Sequence, residues 1–344
     1  MKKNKDSIIL GIESSCDDTS AAILKNGVLL SNITASQGVH QKFGGVVPEL
    51  ASRAHQENIV PTVDAAIKEA GIDIKDITAI AFTRGPGLLG SLLVGTSFAK
   101  SLSMSLNIPL LDVHHMKAHV HAHFIQEKNI DYTPPLFPFI CLTVSGGHTQ
   151  IVYVENPLKM KVIGETIDDA IGEAFDKAGK LLGLGYPAGP LIDKHAMLGD
   201  SNKYEFTYPK ANALNYSFSG LKTQFLYFLN KNIKENANFI NENLQHISAS
   251  YQSHLINYLL INFKKALKKY PCNDIAIAGG VSANSHLRKK FTALGKELKC
   301  RVHIPKMSFC TDNAAMIAMS GFFLEKEGKF SDLEISASAR ITMN

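Results

Sequence analysis

The chain has 344 residues, 45% hydrophobic and 19% charged, with a net charge of +5. That length supports two domains with a sizeable core, and a mean hydropathy near zero fits a soluble globular protein. The longest apolar runs, IILGI and FPFICLTV, are far too short to cross a bilayer, which excludes a membrane-spanning reading.

The opening MKKNKDSIILGIES lacks the apolar stretch and small-residue cleavage site of a secretory signal, so none is expected. Cys16, Cys141, Cys272, Cys300 and Cys310 are scattered, with no C-x-x-C, which predicts reduced thiols and a cytoplasmic protein. Residues 7–34 read as strand, polar loop and strand, and residues 48–70 as a helix interrupted at Pro61. Next come the strand ITAIAFTR, the loop GPGLLG, the helical SLLVGTSFAKSLSMSL, the strand IPLLDV and then VHHMKAHVHAHF. The polar, proline-bearing 126–138 is the best linker between two halves. A second strand–loop–strand follows in FICLTVSGGHTQIVYV, with helices expected in 168–183 and 244–270. DIAIAGGVSANSHLRKKF then repeats the strand, glycine turn and helix of 78–106, which points to a duplicated α/β architecture around a nucleotide cleft.

Gly85-x-Gly87-x-x-Gly90, with Asp112 22 residues further on, has the form of a dinucleotide fingerprint. A closely packed strand-to-helix turn gives the same pattern. It is not a Walker A loop, because no Lys follows Gly90. Ser145, Gly146 and Gly147 end a strand and are suited to turn several backbone N–H groups towards one anion. Gly279 to Asn284 opens a helix in the other Gly-Gly turn. Two such turns favour a mononucleotide over a dinucleotide. Asp169, Glu173 and Asp176 share one helix face, as a solvated face or a cleft wall would, and GYPAGP is a rigid turn.

Five of the 13 histidines fall within residues 113–124. On a helix, His115 and His119 stack one turn apart and suit a metal; on a strand, His119, His121 and His123 would share a face. Helix is favoured because a strand has just ended. A zincin needs Glu after the first histidine, and Met116 stands there, so the hydrolytic base is missing. Asp312 opens a small-residue helix, as an N-cap or as a third ligand. Between Ile261 and Lys306, 11 Lys and Arg face two acids, a footprint that fits a nucleic-acid partner or plain solvated helix faces.

Seven motifs occur in order: GIESSCDDTSAAIL, HHMKAH, VSGGHT, GEAFDK, GYPAGP, GGVSANSHLR and CTDNAAMIA. Together, from about residue 8 to about residue 335, they resemble the tRNA N6-adenosine threonylcarbamoyltransferase family, formerly described as O-sialoglycoprotein endopeptidases. The resemblance implies a two-lobed actin-like, sugar-kinase-like α/β fold, the duplicated ribonuclease H-like ATPase architecture. It implies lobes at 1–130 and 131–344, the second with helical insertions and a last helix that is a candidate to pack back on the first. It implies transfer of threonylcarbamoyl from threonylcarbamoyl-AMP to the adenosine just 3′ of the anticodon in tRNA.

By resemblance the metal ligands are His115, His119 and Asp312, holding one divalent ion, with Fe2+ placed ahead of Zn2+. The substrate-binding residues are Thr143, Val144, Ser145, Gly146, Gly147, Asp176, Gly189, Asp193 and Asn284. Thr143 stands where an apolar residue is more usual. The expected partners are tRNA, a shorter paralogue of the same fold and a small P-loop ATPase, with no membrane. The adenosine amine is a weak nucleophile, so the donor must be a strongly activated acyl group. A bound metal would polarise or orient its carbonyl, and backbone donors would hold the phosphate or the developing charge. No residue is assigned as the proton acceptor; His148 and Glu13 are candidates. Rival readings are an ATPase or phosphotransferase of the same fold, a non-catalytic scaffold paralogue, and a metalloprotease weakened by Met116.

Overall fold

A computed structural model describes residues 6–209 and 211–343; residues 1–5, part of the stretch read for a targeting signal, lie outside them. The strands are β1 (Ile8–Glu13), β2 (Thr19–Lys25), β3 (Val28–Ala35), β4 (Ala79–Gly85), β5 (Leu110–His114), β6 (Gln126–Glu127), β7 (Phe139–Val144), β8 (Thr149–Val154), β9 (Met160–Glu165), β10 (Asp274–Ala278) and β11 (Arg301–His303). The α-helices are α1 (Pro48–Ala70), α2 (Leu89–Leu106), α3 (His115–His121), α4 (Ile171–Leu181), α5 (Ala188–Ala196), α6 (Ser219–Glu235), α7 (Phe239–Lys269), α8 (Ser285–Leu298) and α9 (Ala314–Lys326).

The chain divides into two compact units. One comprises Met1–Pro135, Asn156–Met160 and Pro305–Asn344; the other comprises Leu136–Glu155 and Lys161–Ile304. A single cut at residue 130 would give α9 to the second unit, whereas its small side chains pack on β1, β2 and β4 of the first. The first sheet has the order β5-β4-β1-β2-β3-β6 and the second β11-β10-β7-β8-β9. Each has an antiparallel opening hairpin joined through its first strand to a parallel strand. The strand order 5-4-1-2-3 is therefore repeated, as the two strand–loop–strand openings predict.

The two-residue period of β1 organises the first unit. Ile8, Leu10 and Ile12 join Ile59, Val63, Ala66 and Ala99 in one core. Ile9 joins Ala81, Leu111, Val113 and the alanines of α9 in another. Gly11 and Glu13 follow Ile9 on that second face. A Cβ on Gly11 would lie 2.4 Å from the Ala314 carbonyl oxygen, so only glycine lets α9 dock there. In the second unit, apolar residues of β7, β10, α4, α6, α7 and α8 form one core.

Two expectations change. Pro61 does not interrupt α1, which runs unbroken to a left-handed Gly71 cap. The helix expected over 244–270 starts earlier, at Phe239, and α6 lies in a stretch where the sequence reading places no element.

Candidate active site

The histidine stretch is helical where it matters. β5 passes directly into α3, which puts His115 and His119 one turn apart on a buried face. Their rings sit 4.7 Å apart, centroid to centroid, nearly perpendicular. Asp312 comes from the other end of the unit. Asn313 caps α9 by accepting the Met316 N–H, so Asp312 is released from capping. Its Oδ1 lies 3.4 Å from His115 Nε2 and 3.2 Å from His119 Nε2. Donor atoms of the three residues all fall within 4.8 Å of one another.

Glu13 closes the back of this site. It is 0% exposed and accepts from the Ser15 N–H and from the Thr83 hydroxyl at 2.7 Å. His115 Nδ1 lies 3.1 Å from Glu13 Oε2 and 3.3 Å from Ser15 Oγ. Burial alone would raise both carboxyls, yet His115, joined at Asp312 by His119, holds each below the usual carboxylate range. Burial would lower the His115 imidazole, but Asp312 and Glu13 hold it well above its ordinary value. Both His119 ring nitrogens are buried without a hydrogen-bond partner; the Asp312 approach is a contact, not a bond. A buried, orphaned imidazole beside the enclosed Glu13 and the partly exposed Asp312 fits a cation held by His115, His119 and Asp312.

The other histidines are engaged elsewhere. His121 donates Nε2–H to the Pro157 carbonyl at 2.8 Å, with Nδ1 2.7 Å from Ser320 Oγ. His114 Nε2 lies 3.3 Å from the Ile341 carbonyl, and His123 Nδ1 3.4 Å from the Tyr132 hydroxyl.

The glycines of GPGLLG serve close packing. A Cβ at Gly85 would strike the Ser338 carbonyl and one at Gly87 the Ser15 carbonyl, while the Gly87 N–H donates to Ala339. The space a pyrophosphate would need is filled by the chain itself, and Asp112 is tied to Arg84 and Ser331. Of the two readings of this loop, the closely packed strand-to-helix turn is the one the structure shows.

The remaining candidates lie in the second unit. Thr143 and Val144 are 0% exposed inside β7 and hold the loop that follows. The Ser145 N–H donates to the His148 carbonyl, closing the turn. Gly146 and Gly147 are exposed. Neither has a left-handed φ, and a Cβ on either would meet nothing within 4 Å. These glycines are required neither by backbone strain nor by packing, so they leave room beside two backbone N–H groups.

Asp176 accepts the Ala188 N–H at 2.8 Å at the start of α5. Burial raises its carboxyl, partly offset by the N–H groups of Ala188 and Gly189. Gly189 has room too: an added Cβ would meet only Phe175, at 4.0 Å. Asp193 accepts from Gln252 Nε2 at 3.0 Å and from the N–H and hydroxyl of Ser285 at 2.9 and 2.8 Å. Asn284 caps α8 and donates to Gln252 Oε1 at 2.7 Å. Gln252 therefore joins the two predicted residues, which sequence spacing does not reveal. Its neighbours Ser248, Ser250, Ser253 and His254 are polar too, so nothing in the local sequence marks it.

Known proteins share this sequence and this fold. The family model described as TsaD, tRNA N6-adenosine threonylcarbamoyltransferase, matches residues 28–319. A protein of that name from Christiangramia forsetii is 56% identical over 96% of this chain and 97% of its own length. Another, from Riemerella anatipestifer, is 54% identical over 99% of each. Among solved structures, HypF of T. kodakarensis superposes with a TM-score of 0.61 at 15% identity, over 94% of this chain and 48% of that one. A full-length HypF crystallised in a phosphate- and nucleotide-bound form gives a TM-score of 0.58 at 14% identity, over 95% of this chain and 47% of that one; these likenesses establish the fold alone. By its family match and its full-length relatives, the chain belongs to the tRNA N6-adenosine threonylcarbamoyltransferase family.

Proposed function

We propose that this chain transfers the threonylcarbamoyl group of threonylcarbamoyl-AMP to N6 of the adenosine just 3′ of the anticodon, in tRNAs that read codons beginning with A, releasing AMP. The observation that carries this reading is the match along 96% and 99% of the chain to relatives of that name. An ATP phosphotransferase would leave the buried histidine pair without a purpose. A scaffold subunit would need neither that pair nor the open glycine turn.

His115, His119 and Asp312 would hold one divalent metal. Two imidazoles and one carboxylate suit Fe2+, which we place ahead of Zn2+. When bound, the ion would supply Lewis acidity towards the carbonyl of the threonylcarbamoyl group. Gly146 and Gly147 present N–H groups to the phosphate of the donor. Asp176 sets the start of α5 and with it Gly189, which leaves space for the nucleotide. Gln252 keeps Asp193 and Asn284 in register across α5, α7 and α8.

In the transfer, N6 forms a bond to the carbamoyl carbon, the bond from that carbon to the AMP phosphate oxygen breaks, and AMP leaves with the electron pair. The N6 proton passes to a base outside Glu13, whose carboxylate is enclosed and saturated. No acylated side chain is formed. The basic stretch 261–306 serves tRNA, and we infer the same two protein partners that the family resemblance implies. The cytoplasm is the setting we infer, supported by five cysteines that form no disulfide. Among the described residues, no helix is long and apolar enough to cross a membrane.

The test is nucleoside analysis of tRNA from cells depleted of this protein. Loss of threonylcarbamoyladenosine is expected, restored by the parent gene but not by His119→Ala. Unchanged threonylcarbamoyladenosine would reject the proposal.

A further inference from the structure

We infer that Glu13 is a positioning residue: it fixes the tautomer of His115 so that Nε2 faces the metal. This rests on the reading of His115, His119 and Asp312 as the metal ligands. The carboxylate is fully enclosed, and its oxygens are assigned. Oε1 accepts the Ser15 N–H, and Oε2 accepts the Thr83 hydroxyl and faces His115 Nδ1 at 3.1 Å. An ionised carboxylate only accepts, so the proton between it and the ring sits on Nδ1. When the ring gives up a proton to bind an ion, it keeps Nδ1–H towards Glu13 and frees the lone pair of Nε2, the atom nearest Asp312. His119 has no such partner on Nδ1. The protein therefore sets one of the two imidazoles and leaves the other to be set by the ion.

β-strand periodicity is why Glu13 stands there. It follows Ile9 and Gly11 on the α9 face of β1, and Thr83 follows Ala79 and Ala81 on the same face of the neighbouring β4. Two adjacent strands thus deliver an acceptor and a donor behind the ring.

Glu13→Gln separates this role from packing, because the amide satisfies every neighbour with His115 in the wrong tautomer. Its oxygen takes the Ser15 N–H, and its nitrogen replaces Oε2. Thr83 turns its proton to the Ile12 carbonyl, 3.4 Å away, and accepts from the amide. The amide's second N–H then donates to His115 Nδ1, which drives the ring proton to Nε2 and blocks the ligand position.

The experiment titrates metal-free protein with Zn2+ against a chromophoric chelator, and repeats it anaerobically with Fe2+. Glu13→Gln should bind roughly 10- to 100-fold more weakly, with the melting temperature of the metal-free protein unchanged. Thr83→Val, which keeps the carboxylate–imidazole pair, should change affinity much less. Nitrogen-15 spectra of the Zn2+-loaded parent should show His115 protonated at Nδ1. That measurement decides the inference if Glu13→Gln does not fold, and a ring bound through Nδ1 would overturn it. Equal affinity of the parent and Glu13→Gln, with His119→Ala weakened, overturns this inference alone. A parent that binds no metal, or binds it equally well after His119→Ala, overturns the metal reading and this inference with it.

Discussion

Gly11→Ala tests whether the docking of one helix sets the proposed metal site. The new methyl would lie 2.4 Å from the Ala314 carbonyl oxygen, 2.7 Å from the Ala318 nitrogen and 2.8 Å from the Ala318 Cβ. Two of these are backbone atoms of α9, so no side-chain rotation relieves them. To reach ordinary contact α9 must retreat by about 1 Å, and overpacking of this kind costs roughly 1–3 kcal/mol. Asp312 sits two residues before Ala314 and travels with the start of the helix. His115 and His119 belong to α3, which continues from β5 and is tied to α9 further along, by His121 on Ser320, so a retreat at the start of α9 shifts Asp312 relative to the pair. Metal sites tolerate errors of about 0.2 Å in ligand distance, so a displacement of about 1 Å in one ligand should cost at least about tenfold in affinity. Urea unfolding of metal-free protein and chelator competition measure the two effects separately. A variant with unchanged unfolding midpoint and unchanged Zn2+ affinity would refute the reasoning. Lost stability with intact affinity would show that Asp312 is held independently of the docking.

Gly147→Ala should act in the opposite sense on stability and function. Its backbone suits alanine and its surroundings are open, so stability should stay level or rise by about 0.5 kcal/mol, while the KM for threonylcarbamoyl-AMP rises at least tenfold. Unchanged kinetics would remove the loop from the donor site. His254, stacked on Tyr208 at 4.3 Å, is pushed down by burial from 6.5 to about 4. With the folded value below the unfolded one, its contribution to stability is complete above pH 6.5 and is lost as pH falls towards 4; from pH 7 to 5 the loss should be about 1–2 kcal/mol. Urea titrations should show a flatter pH dependence in His254→Asn, and an equal slope would refute the assignment. Lys289→Glu with Lys290→Glu on α8 should weaken tRNA binding and lower its salt slope by about one for each phosphate no longer neutralised; unchanged binding would clear this helix of tRNA.

Much of this protein is legible from local pattern. The strand–loop–strand openings, the i, i+4 spacing of His115 and His119, and the missing Glu at Met116 depend only on neighbouring residues, because helix and strand periods set which side chains share a face. The motif order that marks the family is likewise a property of the chain alone. Other features required the fold. The helical stretch of α1 passes Pro61 unbroken, because packing of Ile59, Val63 and Ala66 outweighs one missing backbone bond. Gly85, Gly87 and Gly90 carry a dinucleotide pattern, yet the chain's own carbonyls fill the space beside the first two. Glu13 is a candidate base by sequence, until its enclosure by Ser15, Thr83 and His115 becomes visible. Gln252 has no motif, since its importance lies in touching Asp193 and Asn284, which are 59 and 32 residues away in sequence. Sequence by itself singled out the candidate residues and determined which faces they occupy. The tertiary structure decided which of them are spent on one another and which stay open to a ligand, because hydrogen bonds between residues far apart in the chain leave no trace in local spacing.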